Sequence, residues 1–123
     1  MIKVMASGVF DILHLGHVHY LRESKSFGDY LVVVIASDYT AQNHGKELVF
    51  NENERSALVS ELKMVDEVMV GHSDDNIFKT VAELKPDIIT LGYDQNATPP
   101  AFVYHHDNNP IGLSDGGFSG SIP

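Results

Sequence analysis

Cysteine and tryptophan are both absent from this chain of 123 residues. Without thiols there is no disulfide framework, no thiolate metal site and no cysteine nucleophile. Basic residues are scarce: Lys and Arg number 8 against 17 Asp and Glu, a formal net charge of -9 at pH 7. That balance argues against broad contact with nucleic acid or an anionic membrane surface, both of which need a basic face. Long apolar runs are missing as well. The longest, Leu31 to Ala36, falls far short of the roughly 20 residues that a membrane-spanning helix takes. The first residues carry one lysine and then a short strand pattern, not the regions of a secretory leader, so the cytoplasm is the expected compartment. No Gly-x-Gly-x-x-Gly follows the first strand, which disfavours a dinucleotide-binding enzyme, and no His-Glu-x-x-His offers a zinc hydrolase. Repeats and heptads are also lacking.

What is present is enough for one compact domain: 43% of the residues are hydrophobic, an ordinary share for a globular core. The chain is organised around Ala6-Ser-Gly-Val-Phe-Asp-Ile-Leu-His-Leu-Gly-His17. Gly8 marks the point where the apolar strand Ile2–Ala6 gives way to a turn, since glycine tolerates angles that other residues resist. His14 and His17 stand on either side of Gly16, just before a helical pattern from Val18 to Phe27. A helix N-terminus offers unpaired N–H groups and the positive end of its dipole, a natural seat for phosphate. Two imidazoles beside that seat can donate to phosphate oxygens and stabilise charge building on phosphorus. A solvated cap or half of a metal site are the plainer alternatives.

Downstream, Gly28 is the expected C-cap of that helix, and His19 reads as structural or solvated. Tyr30–Ala36 is the clearest strand, and Asp38 at its end either meets a substrate or caps the turn. Tyr39–Glu47 reads as a mobile loop whose Lys46 could close over phosphates. Asn51 and Glu54 form a capping-box pattern for a helix carrying Leu58, Val59 and Leu62. Arg55 lies in the first turn of that helix, where the dipole does not favour a cation; it binds phosphate or pairs with Glu52 or Glu54. A short strand over Val65–Val70 is followed by a helix capped by Asp74 or Asp75, bearing Ile77, Phe78, Val81 and Leu84 and stopped by Pro86. Asp87–Leu91 is the last clear strand and ends in Gly92-Tyr-Asp-Gln95. Alternating strands and helices predict a parallel sheet with right-handed crossovers. The fold class is α/β, a small doubly wound sheet with its site at the C-terminal ends of the strands.

Gly-Val-Phe-Asp followed by His-Leu-Gly-His resembles the nucleotidyltransferases of the cytidylyltransferase type, whose fold is Rossmann-like. Lys85-Pro-Asp-Ile-Ile-Thr-Leu-Gly-Tyr-Asp-Gln95 is most similar to the archaeal FAD synthetases, which transfer AMP from ATP to FMN. The first half is also similar to glycerol-3-phosphate cytidylyltransferase, which transfers CMP from CTP. The resemblance covers residues 1–95 as the nucleotidyltransferase domain. It implies transfer of a nucleoside monophosphate with release of pyrophosphate, Mg²⁺ accompanying the triphosphate, and a homodimer. It also implies that His14 and His17 are catalytic, and that Gly8, Val9, Phe10, Asp11, Gly16, Gly92 and Asp94 form the nucleotide site. Lys46 and Arg55 would meet phosphates.

Two departures stand out. His44 precedes Gly45 where relatives often carry a basic residue, and the tail, 96–123, is rich in Pro, Gly, Asn and Ser with no Lys or Arg. No strand alternation is legible in it. Gly117-Phe-Ser-Gly-Ser121 is faintly similar to the family's serine-rich segment, which makes Ser119 and Ser121 candidate phosphate contacts. The tail either wraps the site or is foreign to the fold, through truncation or a shifted reading frame. His105-His106 is a solvated pair or a metal ligand pair. Beside the enzyme stand two readings from other classes: a nucleotide-binding protein without turnover, and a zinc hydrolase using the histidines.

Overall fold

A computed structural model describes residues 1–72, 77–91, 102–105 and 110–111. Their elements run β1 (Lys3–Gly8), α1 (Leu15–Lys25), β2 (Tyr30–Ile35), α2 (Asp38–Asn43), α3 (Glu52–Ser60), β3 (Glu67–Val70), α4 (Ile77–Leu84), β4 (Ile88–Leu91), β5 (Phe102–His105) and β6 (Pro110–Ile111). The six strands form one sheet in the order β3-β2-β1-β4-β5-β6. Across β3, β2, β1 and β4 every pairing is parallel, as the alternation of strands and helices predicts. The fold is α/β and Rossmann-like.

β1 and β2 make the centre because their side chains are apolar on both faces. Val4, Met5 and Ala6 follow one another with no exposure, as do Leu31, Val32 and Val33. Such runs suit strands covered by helices on either side. Their register pairs Lys3 with Tyr30 and Gly8 with Ile35, and β4 joins the other flank with Val4 opposite Ile88. At the N-terminal edge of the sheet three carboxylates close the strand entrances: Asp29 accepts from the Ile2 N–H, Asp87 from Lys3 and Asp66 from Leu31.

The structure moves several boundaries. α1 starts at Leu15, not Val18, because an imidazole takes the capping role that Ser, Thr, Asp or Asn usually fills. Its C-cap is Ser26. Gly28 serves a different end: a Cβ there would lie 2.7 Å from both the Ile2 carbonyl oxygen and Val4 Cγ2, so glycine is needed for close approach to β1. The first part of the segment expected as a loop, residues 39–43, is instead helical within α2, with the Ser37 hydroxyl accepting from the Thr40 N–H, while residues 44–47 are non-helical. The Asn51–Glu54 capping box forms as its residues predict, with Asn51 Oδ1 accepting from the Glu54 N–H and Glu54 Oε1 from the Asn51 N–H. α4 ends where Lys85 turns to φ 50 ahead of Pro86.

The tail also differs from expectation, because β5 and β6 extend the sheet past residue 95 as antiparallel strands. The connection from β4, residues 92–101, is shorter than the dozen or so residues that a parallel crossover takes, so the chain reverses. Among the described residues β6 pairs with β5 alone, which suits Pro110, since proline cannot donate to a further strand. Asp74, Asp75 and most of the tail lie outside the described residues.

Gly28→Ala should destabilise the fold by about 1–3 kcal/mol, the usual range for forcing extra carbon into a filled space. Urea denaturation monitored by circular dichroism would read the loss.

Candidate active site

The turn after β1 holds one of the two non-glycine residues with positive φ among the described residues. Phe10 has φ 54 and is only 3% exposed. A bulky residue in the left-handed region costs energy that surrounding contacts must offset, and such positions cluster at functional sites. The sequence places this burden on Gly8, but Gly8 is needed for space: a Cβ there would sit 2.8 Å from Phe10 Cε2. The Phe10 ring therefore folds back over the glycine. It lies 5.2 Å from the His17 imidazole, centroid to centroid.

His14 and His17 hold each other in place through the main chain. His14 is the N-cap of α1, and its Nδ1 accepts from the Gly16 N–H at 3.0 Å. In return His17 Nδ1 accepts from the His14 N–H at 3.3 Å. This is the reciprocal logic of a capping box with two imidazoles in place of hydroxyl and carboxylate. An Nδ1 that accepts carries no proton, so each neutral ring bears its hydrogen on Nε2. The rings lie 4.0 Å apart. Burial, and then the charge of neighbouring His14, pushes the His17 pKa down to about 4. At neutral pH His17 is thus an uncharged Nε2–H donor. The main-chain N–H groups expected to share phosphate binding are partly spent, since Gly16 donates to His14 Nδ1 and His17 N–H to the His14 carbonyl.

Arg55 stands apart from both readings of the sequence. It has no exposure, and it pairs with neither Glu52 nor Glu54. Its Nε donates to the Phe50 carbonyl, Nη1 to the carbonyls of Val9 and Ala36, and Nη2 to Asp38 Oδ1 at 2.7 Å. One guanidinium thus ties the exits of β1 and β2 to α2 and α3. Asp38 is explained by the same contact, and Glu52 by accepting from the Asp38 N–H. Asp11 works similarly from the other side: its carboxylate accepts from the N–H groups of Val49 and Phe50. Desolvation works to raise the Asp11 pKa, but those two hydrogen bonds and the charges of Arg55 and Lys46 more than offset it, holding the carboxyl below its usual range. Arg55 and Asp11 therefore shape the turn that carries Val9 and Phe10. Lys46 is exposed on the segment that Asp11 anchors.

A cleft of about 200 Å³ opens at the C-terminal ends of β1, β2 and β3, lined by Gly8, Val9, Ser37, Thr40, His72 and Thr80 among others. His72 sits at the exit of β3, and its Nε2 lies 2.9 Å from Glu83 Oε1 on α4. Sequence reasoning missed Thr40, His72 and Thr80. Reading the two residues that follow each strand would have found His72, because ligands gather there in open α/β sheets; Thr80 carries no such signal. Gly92, Asp94, Ser119 and Ser121 lie outside the described residues. Among the described residues no three His, Asp or Glu side chains are grouped to hold a metal ion, and no helix is long and apolar enough to cross a membrane.

The model of the cytidylyltransferase-like family matches residues 5–111. The chain belongs to that family. It is 67% identical over 94 residues to the FAD synthase of Picrophilus torridus, covering 76% of this chain and 67% of that protein. It is likewise 67% identical over 95 residues to the FAD synthase of Thermoplasma volcanium, covering 77% of this chain and 66% of that protein. The chain thus spans about two thirds of the length of these curated relatives. A crystal structure described as that of the lipopolysaccharide core biosynthesis protein from Thermoplasma volcanium GSS1 is also similar, with 65% identity and a TM-score of 0.74, covering 79% of each chain.

Two outcomes follow. Because the His17 pKa is lowered from 6.5 to about 4, the unfolded chain binds this proton first. Its contribution to stability should be complete above pH 6.5 and fall as pH drops towards 4, a trend that His17→Gln should flatten in denaturation midpoints measured across that range. Arg55→Met should cost about 3 kcal/mol, since it strands the carbonyls and carboxylate that the guanidinium satisfies; the unfolding free energy in urea is the check.

Proposed function

We propose that this chain transfers AMP from ATP, entering as its Mg²⁺ complex, to FMN. An oxygen of the acceptor phosphate attacks the α-phosphorus in line, the bond to the β-phosphate bridging oxygen breaks, and pyrophosphate leaves. The observation that carries this reading is the pair of reciprocally capped imidazoles at the start of α1, each with its Nε2–H free of the cap and His17 uncharged. The choice of ATP and FMN is supported by the names of the relatives, FAD synthases at 67% identity.

No covalent nucleophile is needed, because phosphoryl chemistry of this kind is largely positioning and charge stabilisation. His14 and His17 donate to α- and β-phosphate oxygens as charge develops. A neutral donor suits this role: it tightens on an oxygen gaining charge without holding the ground state as a full cation would. Val9 and Phe10 border the nucleotide, Asp94 contacts the nucleoside, and the cleft at the exits of β1, β2 and β3 receives the acceptor. Lys46 approaches a phosphate from the segment anchored by Asp11.

Pyrophosphate release is measured with ATP or CTP, each paired with FMN or glycerol 3-phosphate, in Mg²⁺. Release with ATP and FMN alone is expected. Release only with CTP and glycerol 3-phosphate would replace the substrates, and nucleotide binding with no release in any pairing would leave a binding protein. His17→Ala should lower kcat on the order of a hundredfold, the usual cost of losing one transition-state donor, with a circular dichroism spectrum like that of the parent. An unchanged kcat would remove the imidazole from the mechanism.

A further inference from the structure

The buried polar cluster beneath α1 takes no part in the phosphate chemistry, yet it lies directly under the turn that does. Tyr20 is only 6% exposed. Its hydroxyl sits where the β1–β4 ladder ends, at the pair Ser7 and Leu91. It accepts from the Ser7 N–H at 3.3 Å and donates to the Thr90 carbonyl at 3.0 Å, so one oxygen spans both strands. Ser24 reinforces the junction, its Oγ 2.8 Å from Thr90 Oγ1. Beyond this point β1 turns towards the histidines, while β4 ends at Leu91. In open α/β sheets, ligands enter where neighbouring strands send their connections apart.

The ring of Tyr20 does a second thing. It stacks on Phe10, with centroids 6.3 Å apart and planes 16° from parallel, and Phe10 in turn abuts His17. Core packing alone would be met by an apolar residue at this helical position. A buried hydroxyl is costly unless it is hydrogen-bonded, and here its bonds reach both strands that lead into the site.

We propose that Tyr20 is a positioning residue of the nucleotide site with two separable parts. Its hydroxyl sets the gap between the ends of β1 and β4, where the nucleoside is held. Its ring backs Phe10 and thereby fixes the His17 imidazole. This inference rests on the reading of the chain as a nucleotidyltransferase.

Two substitutions separate the parts. Tyr20→Phe keeps the stack and deletes the bridge, so the Kd for ATP with Mg²⁺, by calorimetry on the full chain, should rise about tenfold, as losing a buried hydrogen bond implies. Its kcat for pyrophosphate release should stay near that of the parent. Tyr20→Leu loses both parts: the same weakening of ATP binding should appear together with a fall in kcat. The His17 ring-proton NMR signal should shift in Tyr20→Leu and stay in place in Tyr20→Phe. Unchanged ATP affinity in Tyr20→Phe would overturn the hydroxyl's role, and an unmoved His17 signal in Tyr20→Leu would overturn the ring's. If the parent chain binds no ATP, the nucleotidyltransferase reading fails, and the His17 signal still decides whether the ring positions the imidazole.

Discussion

The structure turns on the burial of one cation. A guanidinium removed from water is tolerated only when its donors are matched by well-placed acceptors. Arg55 meets that demand with the carbonyls of Val9, Ala36 and Phe50 and the carboxylate of Asp38. Those acceptors come from the chain as it leaves β1, as it leaves β2, inside α2 and just ahead of α3. Satisfying the charge therefore brings the exits of the two central strands together. The geometry is also directional, since a planar fork holds its acceptors at set angles where a lysine would hold them loosely. Phe10 is kept in its left-handed conformation between this anchor and Asp11, and the histidines follow from Phe10.

Carboxylates serve both ends of the strands. Asp29, Asp66 and Asp87 lie at the N-terminal edge, where their carboxylates accept main-chain N–H groups that begin β1 and β2. Three of the 17 acidic residues are thus spent on closing strands, away from the edge that carries the imidazoles. At the opposite edge Asp11 is held by the Val49 and Phe50 N–H groups and Asp38 by Arg55, so a net charge of -9 is compatible with an anionic ligand there. At the ligand edge the donors are few and local, and His17 contributes one without a formal charge. Two imidazoles 4.0 Å apart discourage a second proton on the pair, so proximity itself favours the neutral donor.

Much of the fold was legible because its signals are local. The uninterrupted apolar runs in β1 and β2 announced buried central strands, and the Asn51–Glu54 pattern announced the start of α3. The His14 and His17 spacing was legible as a phosphate seat, but its cap was not, because imidazole is an uncommon helix cap and the rules look for short oxygen-bearing side chains. Arg55 was flagged by its awkward place in a first helical turn. What it binds was hidden, since its partners are carbonyls from segments far apart in sequence and a carbonyl has no residue identity. Gly8 and Gly28 were credited with backbone freedom when both are needed for space, a distinction that depends on neighbours seen only after folding. The strand at Phe102–His105 carried aromatic and β-branched residues but was too short to stand out within a polar tail.

Main-chain hydrogen bonds to Nδ1 leave His14 and His17 as Nε2–H donors. Long-range ¹H–¹⁵N correlation spectra of the histidine rings at pH 7 test it most directly, first alone and then with ATP and Mg²⁺. For both rings the account predicts an unprotonated Nδ1 and a protonated Nε2, with the Nε2 signals moving when the nucleotide is added. A proton on Nδ1 of either ring, or Nε2 signals indifferent to ATP, would contradict it.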